Sequence, residues 1–131
     1  MSNIAPRTLV VCEEALKDFS GHWFEYSRAV AEMNRAVGVD VKILAHTDVS
    51  SEVRQAIDAE PFFTHTNWDG IYYHSQAWRR YLGILKHNFR VYRAVSGYLN
   101  RISEPIDCIF APTVVRTNFG GCCNRNRSVV N

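Results

Sequence analysis

The stretch of sequence that decides the fold is residues 7–46, RTLVVCEEALKDFSGHWFEYSRAVAEMNRAVGVDVKILAH. It opens with Arg7 to Cys12, an apolar run rich in β-branched residues, which is typical of a parallel strand covered on both faces. A polar loop follows, and apolar residues then recur at alternating steps of three and four. That spacing predicts a helix that carries the following residues on one face: Trp23, Tyr26, Val30, Met33 and Val37.

The two ends of this helix have their own signals. Ser20 is the predicted N-cap, and Gly38 suits the left-handed position that usually ends a helix. The residues from Val39 to Ala45 then read as a second strand, which ends at His46. A strand, a helix and a strand with short links can be parallel neighbours only through a right-handed crossover. The stretch therefore predicts a βαβ unit, the start of a Rossmann-like α/β fold, a three-layer sandwich with a mainly parallel sheet.

The next elements are shorter. Residues 50–59 have the composition of a short helix, with Ser50 or Ser51 as its cap and Pro61 as the residue that breaks it. Residues 62–65 read either as a short third strand or as an irregular stretch. Residues 67–70, NWDG, predict a turn.

A longer helical pattern covers residues 72–102. Gly83 and Gly97 weaken it, so one long kinked helix and two shorter helices are both compatible with the sequence. Residues 106–111 read as a further buried strand, with Pro112 and Thr113 at its C-terminal end. We expect one domain over residues 1–119 and a loosely ordered tail over residues 120–131. The apolar positions of the long helical pattern are Trp78, Tyr81, Leu82, Leu85, Phe89, Tyr92, Val95, Leu99 and Ile102.

Composition places the chain among globular proteins. Its 131 residues suit one domain, and 47% hydrophobic with 21% charged residues lies far from the composition of disordered chains. No apolar run is long enough for a signal peptide or a membrane span, so we expect a cytoplasmic location. The four cysteines show no metal-binding spacing, which predicts reduced thiols and no metal. We also expect no cofactor.

Charge is divided unevenly along the chain. Residues 1–69 hold 6 Lys/Arg and 11 Asp/Glu, whereas residues 70–103 hold 6 Lys/Arg and no acid. The basic helix is either a solvated face opposite a core stripe or a surface for anionic lipid at the membrane. Nucleic acid is not an expected partner, because the overall charge of +2 is close to balanced. The candidate contacts to an anionic surface are Arg79, Arg80, Arg90 and Arg93.

Ligands of open parallel sheets bind outside the C-terminal ends of the strands. The amides at a helix start favour a phosphate or carboxylate there, and Gly21 would let such a ligand approach the chain closely. The loop lacks the glycine patterns of dinucleotide binders and phosphate-loop enzymes, which argues against NAD binding and ATP hydrolysis. His22 is a candidate donor or base, and the alternative is an exposed histidine without a role. His46 carries the same two readings. Asp18 is a candidate base in the same cleft, and the alternative is an exposed loop acid.

The pattern resembles the N-terminal domain of group-1 glycosyltransferases with the GT-B architecture. The resemblance rests on the strand at Leu9–Val11, the loop Ser20–Trp23, and Gly38–Ile43 after the first helix. A later run, Asp107–Thr113, looks like the strand of such domains that ends at the cleft. The similarity covers residues 7 to 115.

The resemblance implies an enzyme that moves a sugar from a nucleotide-sugar donor to an acceptor hydroxyl. It also implies a catalytic or polar contact at His22, and donor-diphosphate or acceptor contacts at Ser20, Gly21, His46 and Thr113. A basic helix would fit a membrane-associated acceptor, with the protein peripheral to the membrane. The alternative is a non-catalytic α/β module that holds an anionic surface or partner through that helix.

The chain departs from this family in two respects. Its first loop has one glycine where a pair is common. Nothing after residue 119 resembles the C-terminal domain, with its nucleotide-sugar pocket and paired glutamates. We therefore expect the N-terminal half of a GT-B fold, which is inactive by itself. It would be the product of a truncated or frame-shifted gene, or a fragment.

Overall fold

The computed structural model describes residues 7–66 and 75–112, and in these ranges the chain forms four strands and three helices. The strands make one open, all-parallel sheet in the order β3-β2-β1-β4, which is consistent with a Rossmann-like fold. The predicted βαβ unit is confirmed, with Val10 opposite Lys42 in the central pair of strands. The elements are β1 (Thr8–Cys12), α1 (Trp23–Ala36), β2 (Asp40–His46), α2 (Ser51–Ile57), β3 (Ala59–Phe63), α3 (Ala77–Arg101) and β4 (Cys108–Phe110).

Each face of the sheet is covered by helices. The alternation of side chains along β1 sends Val11 to one face and Val10 to the other. α1 and α2 bury Phe24, Ala31, Val53 and Ile57 on the first face. α3 buries Val95 and Tyr98 on the second. These two cores account for the predicted layers: helices, sheet, helix.

The helical period predicted for α1 is right, but the predicted buried face is wrong. Tyr26, Met33 and Val37 are exposed, and the face against the sheet carries Phe24, Ser27 and Ala31. Trp23 and Val30 pack at its border. The predicted and the buried set are offset by one residue and share the same period, so the spacing alone does not show which set faces the sheet.

The N-terminus of α1 also differs from the prediction. Its N-cap is His22, which makes no side-chain capping bond, and Ser20 lies two residues earlier in the loop. The C-terminus is as predicted. Gly38 has φ +83°, its N–H donates to the Arg35 carbonyl (3.0 Å), and the Val39 N–H donates to the Asn34 carbonyl (3.0 Å). This pair of backbone hydrogen bonds is a Schellman motif, which fixes where the chain turns into β2.

α2 resolves one open alternative and corrects a prediction. Ser50 is its N-cap, with the hydroxyl accepting from the Val53 N–H at 3.3 Å. The helix ends at Ile57 because Asp58 adopts a left-handed conformation with φ 56°. Pro61, predicted to break the helix, lies within β3. It is tolerated there because β3 is at the edge of the sheet.

The long basic helix is one helix, α3, that continues through Gly83 and Gly97. Among its apolar residues only Val95 and Tyr98 are buried, together with His87. The prediction of a long apolar core face is therefore wrong for the N-terminal half of α3. β4 is only three residues long at the other sheet edge, and Cys108 is exposed rather than buried as predicted.

Three predictions fall outside the described residues: the turn at 67–70, the site residue Thr113 and the tail at 120–131. Within the described ranges, none of the helices combines the length and apolarity needed to cross a bilayer.

Candidate ligand site at the carboxyl edge of the sheet

The carboxyl edge of the sheet brings together most of the predicted site residues. The chain passes outward from β1 to β2 and β3, and then crosses to β4 on the other side of β1. This reversal of strand order makes the carboxyl ends of β1 and β4 the place where an open α/β sheet binds its ligand. The loop after β1 contains Ser20, Gly21 and His22, and His46 is the last residue of β2.

The loop after β1 is fastened to its neighbours by backbone hydrogen bonds. The Glu13 N–H donates to the Leu44 carbonyl at 2.9 Å. The N–H groups of His46 and Ser50 donate to the carbonyls of Leu16 (3.2 Å) and Lys17 (2.6 Å). Leu16 itself is fully buried. The start of this loop is thus held against the loop after β2, and the two form one surface.

Gly21 gives the α1 end of this surface its shape. Its φ of +71° is a conformation that other residues rarely adopt, and a Cβ added there would lie 3.5 Å from the Trp23 ring. The amides that open α1 follow directly, with the positive end of the helix dipole behind them. Glu25 in the first turn of α1 also places a negative charge near the positive end of that dipole. The role predicted for Gly21, close approach of a ligand to the backbone, stays a prediction.

His22 is exposed at the same point. Its ring lies 4.1 Å from the Trp23 ring, centroid to centroid, and it makes no hydrogen bond to any residue that the structure describes. The imidazole can therefore meet a ligand, but within residues 7–66 and 75–112 no carboxylate orients it as a base. Exposure and position fit a donor or a contact to an anion as well as they fit a base.

Ser20 and Asp18 form a local turn. The backbone N–H of Ser20 donates to the Asp18 carboxylate at 2.7 Å, and the Ser20 hydroxyl donates to the same oxygen. These hydrogen bonds, first the side-chain one, hold the pKa of Asp18 below its ordinary value. Asp18 is thus an ionised carboxylate engaged with Ser20 at neutral pH, which makes it a poor proton acceptor.

Two carboxylates that were not predicted as site residues are buried where β1 ends. Glu13 has no exposed surface, and its Oε1 accepts from the Ala15 N–H at 3.2 Å. Glu14 is 4% exposed. Acidic side chains are almost never this buried unless they are paired. The sequence contained a signal for them, since two acids directly follow a buried strand.

Glu14 is paired with His87 of α3. The Nε2 of His87 lies 2.8 Å from the Glu14 Oε2, and both side chains are almost fully buried, 3% and 5% exposed. With Glu14 ionised, Nε2 is the nitrogen that carries the proton. The pair joins the end of the central strand to the middle of α3 across 73 residues of sequence. It positions α3 over the site rather than meeting a ligand itself.

His46 is buried at the end of β2, in contrast to the exposed His22. Its Nδ1 accepts a hydrogen bond from the Asp48 N–H at 3.0 Å, and the Asp48 carboxylate lies 3.5 Å away. Nδ1 is therefore the unprotonated nitrogen in the neutral ring. This arrangement supports the structural reading of His46, in which the ring caps its own loop.

The predicted anionic-surface residues lie on α3 and not on the loops of this edge. Arg79, Arg80, Arg90 and Arg93 are all exposed, and the Arg79 guanidinium is 5.3 Å from the centre of the Trp78 ring. Among the described residues no group of three or more metal-binding side chains comes together. No known family, curated protein or solved structure matches this chain, so the fold and the site stand on their own geometry.

Proposed function

We propose that this chain is the acceptor-side, N-terminal part of a GT-B glycosyltransferase, which moves a sugar from a nucleotide-sugar donor to an acceptor hydroxyl. The observation that carries the proposal is the position of Gly21 and the start of α1. A positive-φ glycine precedes the helix at the carboxyl end of the central strand, beside the reversal of strand order. In this class of enzyme the same loop faces the donor diphosphate.

The chemistry assigned to each residue follows from its environment. The departing nucleoside diphosphate carries negative charge, which the amides opening α1 and the helix dipole would stabilise. Gly21 would let the diphosphate oxygens reach those amides, since it adds no side chain there. His22, exposed beside them, would take the proton of the acceptor hydroxyl or donate to the diphosphate. Ser20 and His46 would shape the floor of the cleft, and Thr113 would lie on its rim.

The nucleotide and sugar would bind a C-terminal domain across the cleft. The chain by itself is then expected to be inactive. Reading the DNA beyond codon 119 in all frames should reveal a second Rossmann-like domain with paired glutamates. The joined protein should release nucleoside diphosphate from a nucleotide sugar only with an acceptor present, and His22→Ala should lower kcat by about a hundredfold or more. The absence of a second domain in all reading frames would contradict the proposal.

The diphosphate contact can be tested on the chain alone by NMR. Titration with inorganic pyrophosphate should shift the amide signals of Gly21, His22 and Trp23 in a saturable way. Gly21→Ala should weaken this binding. Gly38→Ala is the matched control, because Gly38 also has a positive φ but lies at the opposite end of α1. Equal weakening by both variants, or shifts confined to other residues, would contradict the assigned contact.

A second candidate function is a non-catalytic α/β module that holds an anionic partner through α3. It is favoured by one observation, the exposure of all four predicted arginines on a helix without acids. Such a module needs no ligand at the carboxyl edge. Pyrophosphate shifts spread along α3, with none at Gly21, would favour this candidate over glycosyl transfer.

A further inference from the structure

The N-terminal half of α3 carries an exposed apolar stripe to which no role has been assigned. Its members recur mostly at steps of three or four, so they share one face over about four helical turns. Their exposed fractions run from 43% for Leu85 to 60% for Tyr81 and Phe89. Such a contiguous exposed patch is uncommon on a monomeric protein and marks an interaction surface. The stripe consists of Trp78, Tyr81, Leu82, Leu85, Phe89 and Tyr92.

The buried contact of His87 turns this stripe outward. His87 is two residues from both Leu85 and Phe89, and each residue rotates an α-helix by about 100°. Its side chain therefore points to the side of the helix opposite the stripe. Since His87 is held by Glu14 at 2.8 Å, the stripe faces away from the sheet. It cannot turn inward to form core while this pair is intact.

The stripe has a basic flank. At the same rotation per residue, Arg79, Lys86, Arg90 and Arg93 fall side by side along one border of it, and all four are exposed. α3 has no acidic residue in its sequence. The helix thus presents three different faces: one against the sheet, one apolar and one cationic. This is the arrangement of helices that lie in the interface of anionic bilayers.

Charge favours anionic lipid as the occupant of this stripe over a second copy of the chain and over residues 113–131. A second copy of the chain would bring its own basic flank, and like charges at the edge of an apolar contact oppose association. Residues 113–131 contain Arg116, Arg125 and Arg127 and no acid, so they do not complement the flank either. Anionic lipid does. Trp78, Tyr81 and Tyr92 further suit a bilayer, because such rings favour the level of the headgroups.

We infer that α3 docks this protein on anionic phospholipid membranes, lying along the surface with the stripe among the headgroups and upper acyl chains. The basic flank contacts lipid phosphates. This inference goes beyond the proposed sugar transfer and does not rest on it. His87 meets the end of β1, and Ala77 begins α3 ten residues before it, so the stripe lies at the same end of the molecule as the candidate site. A docked protein would hold that site near the bilayer.

The test is binding to vesicles made of equal parts phosphatidylcholine and phosphatidylglycerol, measured by co-sedimentation. The wild-type chain should bind these vesicles, bind pure phosphatidylcholine weakly, and be released by salt. The double variant Leu82→Ser with Phe89→Ser should reduce affinity at least about tenfold through lost apolar contact. Replacing Arg79, Arg90 and Arg93 by Ser should reduce it by a similar factor or more.

A matched control separates membrane insertion from general surface hydrophobicity. Met33 and Val37 on α1 are 72% and 76% exposed, more than any stripe residue. The double variant Met33→Ser with Val37→Ser should bind like wild type. Circular dichroism should show all variants folded, since every replaced side chain is exposed.

Fluorescence gives a second readout. In a background with Trp23→Phe and Trp68→Phe, the remaining Trp78 should shift to shorter wavelength on binding and be quenched by brominated lipid. Three results would overturn the inference: a stripe variant that binds like wild type, binding without any response of Trp78, or a wild-type dimer that the stripe variant makes monomeric while vesicles bind neither.

Discussion

The helices on the two faces of the sheet are held by different kinds of interaction. On the α1 and α2 face, twelve buried apolar residues form a continuous core. On the α3 face the core has six, and polar pairs lie at both ends of it: Glu14 with His87, and Lys42 with Glu104 at 2.9 Å. Burial of apolar area is non-directional, whereas a charged pair fixes one orientation. The middle of α3, the longest helix that the structure describes, is therefore oriented by one specific pair, His87 with Glu14.

The difference explains why α3 can expose so much apolar surface. α1 and α2 are held against the sheet mainly by their buried apolar side chains. α3 is oriented by His87 in its middle and packs on the sheet through its C-terminal half, with Val91, Val95, Tyr98 and Leu99. Its N-terminal half is then free to present apolar side chains to a partner without losing its place in the fold.

The largest effect on the free energy of unfolding should come from comparing a leucine of the first core with a leucine of the exposed stripe. Leu16→Ala removes a fully buried side chain from the first core and should lower the free energy of unfolding by about 4 kcal/mol. Leu82→Ala, on the exposed stripe, should change it by less than about 0.5 kcal/mol. Urea denaturation of both variants measures the contrast. Similar losses for the two would show that the stripe is already covered within the chain.

The next effect concerns the pair that orients α3. His87→Ala removes the imidazole from the buried Glu14 carboxylate and should lower the free energy of unfolding by about 3 kcal/mol. His87→Gln keeps a side-chain donor and should recover part of that loss. Thermal unfolding reports both variants. If Ala and Gln destabilise equally, the packing of the ring matters more than its bond to Glu14.

A smaller effect should appear as a gain on the better-packed face. The Ser27 hydroxyl is completely buried against the sheet and has no hydrogen-bond partner among the described residues. Ser27→Ala removes this hydroxyl and should raise the free energy of unfolding by about 1 kcal/mol. A loss of stability on chemical denaturation would mean that the hydroxyl is satisfied in solution.

The smallest effect is the pH dependence of the second pair on the α3 face. Glu104, through its hydrogen bond, holds the pKa of Lys42 above its ordinary 10.5. A raised folded pKa adds stability that is complete below the unfolded pKa and disappears as pH rises through the folded pKa. Because the pair is largely exposed, its contribution should be less than about 1 kcal/mol. Glu104→Gln should flatten the alkaline part of the stability curve, and an unchanged curve would remove this pair from the comparison.

Much of the candidate site follows from the order of residues. The positive φ of Gly21, the turn at Gly38 and the cap at Ser50 are local events, decided by what neighbouring backbone atoms allow. His46 was placed at the end of β2 by the same reasoning. The roles of Glu13 and Glu14 could not be read in this way. A pair of acids after a strand is exposed or buried depending on what covers it.

Glu14 shows why the rest of the candidate site could not be predicted from the sequence. Its partner is 73 residues away on a helix that pattern alone placed but could not orient. The same limit caused the error on α1, where two residue sets share one helical period and only the packing against the sheet decides which set is buried. It also caused the error on α3, whose apolar spacing looks identical whether it faces a core or solvent.

The sequence by itself determined the first βαβ unit, with β1 and β2 as parallel neighbours, and the turn at Gly38, because backbone preferences and the period of apolar residues act over a few positions. The tertiary structure decided which face of each helix is buried, where β3 and β4 join the sheet, and that Glu14 meets His87. Those outcomes depend on fitting whole surfaces together, where burial, side-chain volume and the pairing of buried charge are settled jointly.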